Sequence, residues 1–80
     1  MAVKIVFLGP LRDMAGVDST AVEAPLDWAG LLKAVGEGIA AQLQEERVNI
    51  ACGGRVLSDK TELQASDGDE VALLPPVSGG

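Results

Sequence analysis

Ser58-Asp59-Lys60-Thr61-Glu62-Leu63-Gln64-Ala65-Ser66-Asp67-Gly68-Asp69 precedes the last apolar run of an 80-residue chain. Leu63 is its one large apolar residue, so the stretch lacks the 3.6-residue apolar repeat of an amphipathic helix. It reads as a polar connection anchored by Leu63. That reading decides the architecture, because a ferredoxin-like sandwich needs a second full helix before its final strand. Downstream, Asp67-Gly68-Asp69 turns into a strand over 70–74, which Pro75-Pro76 closes. Upstream, Val48, Ile50 and Cys52 alternate as a strand, and Gly53-Gly54 makes a tight turn into Arg55-Val56-Leu57.

The first half of the chain supplies the rest of the pattern. Val3, Ile5 and Phe7 alternate with Lys4, Val6 and Leu8 as an opening strand, with Lys4 marking the solvent side. Gly9-Pro10 ends it, Leu11 to Ala15 allows one helical turn, and Gly16 stops that turn. Thr20 and Val22 mark a second strand over 19–24, closed by Pro25. Asp27 then caps a helix whose apolar face is Trp28, Leu31, Leu32, Val35 and Ile39. Gly36 and Gly38 weaken or break it, each costing roughly 1 kcal/mol against Ala, and a second helical stretch over 39–46 continues from there. The order predicts a two-layer α+β domain, naturally a β-grasp, with a mixed sheet of four to five strands on one main helix. Residues 1–74 form that domain, and residues 75–80 form an extended C-terminal tail.

Composition narrows the function. With 48% apolar and 22% charged residues, the chain is globular and not an acidic disordered tail. Six basic against twelve acidic residues leave a net charge of -6, which argues against nucleic acid and favours a partner with positive charge at the contact. There is no His and one cysteine, Cys52, so the usual general base is missing, as are an internal disulfide and a zinc site. No apolar run approaches the ~18 residues of a membrane helix, and a signal peptide is not expected at the start. The expected setting is the cytoplasm, and the chain is not expected to be an enzyme by itself.

The chemistry is expected in the ending Leu74-Pro75-Pro76-Val77-Ser78-Gly79-Gly80. Pro75 and Pro76 fix φ, remove two amide donors and favour a stiff exit from the sheet. Six residues reach at most about 20 Å. Gly79 and Gly80 have no side chains, so that backbone can thread a narrow channel and deliver one group, the α-carboxylate of Gly80. Adenylation would turn this carboxylate into a mixed anhydride, and sulfur could then replace the adenylate to leave a thiocarboxylate.

The run from Asp67 to Gly80, and above all Pro75-Pro76-Val77-Ser78-Gly79-Gly80, resembles the C-terminus of the molybdopterin synthase small-subunit family. Leu11-Arg12-Asp13-Met14-Ala15-Gly16 resembles that family's arginine-acid-x-x-glycine turn. The family often has asparagine where this chain has Gly53. The resemblance implies a ubiquitin-like β-grasp fold and a carrier subunit without cofactor of its own. It also implies an E1-like adenylating enzyme that uses ATP, and a cysteine desulfurase or rhodanese-type sulfur donor. The tail would dock into the large synthase subunit, within a heterotetramer, and supply sulfur to cyclic pyranopterin monophosphate. Alternatives sharing the Gly-Gly end are a ubiquitin-like modifier conjugated through Gly80 and the carrier of thiazole synthesis.

Strand parity adds a candidate partner surface. With Val3, Ile5, Phe7, Val71 and Leu73 inward, the outward residues are Val6, Leu8, Ala72 and Leu74, with Glu70 beside them. If the first and last strands are neighbours, these form an apolar patch at the base of the tail. Arg12 is a candidate contact for an acidic partner group. Cys52 reads as a small core hydrophobe, Gly53-Gly54 as a hairpin turn and not a phosphate loop, and Asp67, Asp69 and Glu70 as solvated carboxylates and not metal ligands.

Overall fold

The alternation near the start makes β1 (Ala2–Phe7) an inner strand that lines the core, burying Val3, Ile5 and Phe7 while Lys4 points to solvent. The computed structural model describes residues 2–76. Helix α1 (Pro10–Ala15) follows, with Pro10 in its first turn and Gly16 in the left-handed conformation at its C-cap. Then come β2 (Ser19–Glu23), the short β3 (Leu26–Asp27), α2 (Trp28–Val35) and α3 (Glu37–Leu43). The Asp27 carboxylate accepts from the Gly30 amide at 2.8 Å, as the N-cap reading expects. The single main helix is in fact two short ones, because Gly36 at φ 86° and ψ 163° breaks the backbone between them. The second therefore begins at Glu37 and ends at Leu43, where the sequence suggested a stretch over 39–46.

The second half adds β4 (Asn49–Cys52), β5 (Arg55–Val56), β6 (Gln64–Ala65) and β7 (Glu70–Leu74). The main sheet runs β2-β1-β7-β4-β5, and β3 pairs with β6 in a separate ribbon. β1 and β7 are parallel and every other pair is antiparallel, so the sheet is mixed. The connection over 58–69 holds a single 3-10 turn, Lys60–Glu62, and no further α-helix. It is more ordered than a plain polar loop: Ala65 joins Leu63 in the core, each 1% exposed. Helices α2 and α3 cover one face through Leu31, Ile39 and Leu43, which pack in a cluster with Val3, Ile5, Ile50, Val71 and Leu73.

The Asp67–Asp69 turn sets the central register. The Ala2 amide donates to the Asp67 carboxylate at 2.8 Å, the Gly68 amide to the Ala2 carbonyl at 2.9 Å, and the Lys4 amide to the Asp69 carbonyl at 3.0 Å. Leu63→Ala should cost about 2–5 kcal/mol, read from the urea midpoint, because the cavity would open in a packed core. A cost below about 1 kcal/mol would remove Leu63 as the anchor of this connection.

Candidate functional site

Register places the outward side chains in a row across four strands. Val6 on β1 faces Ala72 on β7, Ala72 faces Ala51 on β4, and Ala51 faces Val56 on β5. None of the described helices covers this side. Leu8 is 39% exposed and Val56 60% exposed, while Val6, Ala51, Ala72 and Leu74 are half-buried. The patch expected from parity is thus assembled, since β1 and β7 are neighbours. Ala51 and Val56 extend it and escaped the sequence reading. Their signal was present: a two-residue turn at Gly53-Gly54 fixes Ala51 opposite Val56. Both glycines have positive φ, 61° and 84°, conformations that an asparagine at the first position also tolerates.

Lys4 and Glu70 lie beside the row, 4.0 Å apart and well exposed, a pair worth little in solvent. Arg12 sits on α1, where its guanidinium lies 3.6 Å from the Asp18 carboxylate and both are exposed. It does not join the apolar row.

The root of the tail is set between two turns. On one side, a Cβ at Gly9 would lie 3.3 Å from Cγ of Pro75. On the other, Pro76 shares a surface depression with Gln42 of α3 and with Arg47 and Val48 of the connection between α3 and β4. That connection is fastened from below by Lys60, whose ammonium donates to the carbonyl of Val48 at 2.7 Å and to that of Glu45. Nothing in the sequence pattern singled out Lys60. Val77, Ser78, Gly79 and Gly80, the remaining tail residues named from the sequence, lie outside the described residues.

Cys52 faces the core side of β4 and packs half-buried against the central cluster. Burial, and secondarily the Asp69 carboxylate, pushes its thiol above the ordinary value. Among the described residues, no group of three or more Cys, Asp or Glu side chains is gathered closely enough to hold a metal ion. No described helix is long and apolar enough to cross a membrane.

A mixed five-stranded sheet, helices packed on one face and a parallel central strand pair define a ubiquitin-like β-grasp domain. The chain belongs to the ThiS family, whose model matches residues 5–80. It is 32% identical to the molybdopterin synthase sulfur carrier subunit of Escherichia coli (strain K12), an alignment that covers 98% of this chain and 99% of the relative. The solution structure of the HVO 2177 protein of Haloferax volcanii superposes with a TM-score of 0.78 at 27% identity, covering 100% of this chain and 87% of that one. A protein-protein complex of subunits 1 and 2 of molybdopterin-converting factor from Helicobacter pylori 26695 holds a chain that superposes with a TM-score of 0.67 at 26% identity, with 100% of both chains covered.

The raised thiol has a measurable consequence. Thiolate is the alkylated species, so near pH 8 a raised pKa leaves less of it, and iodoacetamide should label native Cys52 more slowly than the urea-unfolded chain. Equal rates would show an unshielded thiol.

Proposed function

We propose that this chain is the sulfur-carrier subunit of a molybdopterin synthase, active only when docked on a large subunit. The observation that carries the reading is the joining of two features by Leu74. It ends the strand at the edge of the uncovered apolar row, and the next residue begins the Pro75-Pro76 exit toward Gly79-Gly80. A partner that buried the row would hold the root of the tail against itself. Burial of apolar area supplies the docking energy, at about 25 cal/mol per Å² before the costs of association.

The chemistry follows from what Gly80 presents. An E1-like enzyme would use ATP to adenylate its carboxylate, with pyrophosphate leaving. The terminal sulfur of a persulfide on a cysteine desulfurase or rhodanese-type donor would then attack the acyl carbon and displace AMP. A second thiol would cleave the resulting acyl disulfide, leaving the thiocarboxylate on Gly80 and a disulfide between the two thiols. The thiocarboxylate on the slim Gly79-Gly80 end would enter the large subunit and give its sulfur to cyclic pyranopterin monophosphate, water releasing Gly80 as the free carboxylate. A second charged carrier would supply the other sulfur of the dithiolene. This chain has no His, so acid and base groups acting on the pterin belong to the large subunit. The relative from Escherichia coli and the two-subunit complex from Helicobacter pylori support this reading.

Intact mass spectrometry of the protein from its own host should show a population heavier by one sulfur-for-oxygen exchange, lost when Gly80 is deleted. High-mass protein adducts in its place would make the chain a modifier and overturn the carrier reading. At the face, Leu74→Glu and Val56→Glu should each weaken large-subunit binding at least tenfold, about 1.4 kcal/mol, with the melting temperature unchanged. Unchanged affinity would take the open face out of the interface.

A further inference from the structure

We propose that Gly9 is a positioning residue for sulfur transfer: it leaves the space in which Pro75 seats, and so aims the tail. The proposal rests on the carrier reading and adds to it a residue that acts through Pro75. Because β1 and β7 run parallel, with Phe7 opposite Leu73, both strands end at the same edge of the sheet. Their continuations diverge there. Beyond Leu74, Pro75 has no amide with which to extend the pairing.

Gly9 makes the divergence on the β1 side. Its backbone sits at φ 54° and ψ -132°, a conformation that L side chains rarely adopt. The Leu8 and Gly9 carbonyls accept from the Leu11 and Arg12 amides at 3.1 and 3.0 Å, which starts α1 immediately. A Cβ added at Gly9 would stand 3.3 Å from Cγ of Pro75, closer than ordinary van der Waals contact. A proline ring cannot rotate away as a flexible side chain would, so the chain must tilt at Pro75, beyond the strand, instead. The second proline makes the exit stiff, which carries any tilt outward. A tilt at Pro75 therefore changes the direction in which the chain leaves the sheet. A misplacement of even ~1 Å can cost about 10²-fold in rate.

The test compares Gly9→Ala and Gly9→Val with the unsubstituted chain, each converted to the thiocarboxylate and mixed with the large subunit. Single-turnover sulfur transfer should fall modestly with alanine and about 10²-fold with valine, while affinity for the large subunit stays unchanged because the open face is intact. In a Pro75→Ala background, which lacks Cγ, the valine should cost at least tenfold less, leaving only what backbone strain at the positive φ of Gly9 contributes. Should the valine chain fail to fold, the same cycle with alanine decides the matter. A folded Gly9→Val chain that transfers at the normal rate would overturn the proposal, as would a valine loss of equal size with or without the Pro75 ring. Failure of the carrier reading shows itself separately, as transfer that survives deletion of Gly80.

Discussion

The parallel pairing of β1 with β7 is the constraint on which the rest of the molecule depends. It joins residues near the two ends of the sequence, so a loop of most of the chain must close before either strand is satisfied. The return comes at the centre of the sheet, where Val3, Ile5, Val71 and Leu73 are completely buried. The Asp67–Asp69 turn holds the pairing in register by bonding the backbone at Ala2 and Lys4. A slip of one residue would turn every core side chain outward. The same pairing brings the end of β1 beside the end of β7, so that the turn at Gly9 and the exit at Pro75 share one edge.

The two faces of the sheet differ because alternation alone sorts them. One side carries the large aliphatic residues that α2 and α3 cover. The other carries two alanines at its centre, Ala72 and Ala51, flanked by Val6, Val56 and Leu74. Small residues there make a shallow, flat surface without a charged side chain in the row. Charges stand at its margin, as with Lys4 and Glu70. Such a surface suits a partner that covers it broadly and grips nothing deep. Lys60 contributes at a distance, by tying the connection next to Pro76 to the 3-10 turn.

Much of this was legible from residue order. The periods of two in β1 and β7, the Asp27 cap and the Gly16 stop are local signals, and each marks what the structure contains. The strands β3 and β6 were not legible, because each is two residues long and exists only through the pairing of Leu26 with Ala65 and Asp27 with Gln64. The break at Gly36 was visible as a weakness, but its completeness comes from the positive φ that Gly36 adopts. Parity named Val6, Leu8, Ala72 and Leu74, conditional on a strand neighbourhood that sequence alone leaves open. Gly9 read as a strand breaker. Its closeness to Pro75 joins residues far apart in the chain, and no local pattern reports such a contact.

The apolar row and the tail meet at Leu74 but are built from different residues, and this separation cuts both ways. A chain trimmed just beyond Pro76 would keep all the described strands and the whole open face. On the carrier reading it would still occupy the large subunit, while having nothing to deliver. Limited proteolysis at this end would therefore not merely subtract a working molecule. It would create a poison that holds the dock against intact carriers, and whose potency grows with how well the face binds.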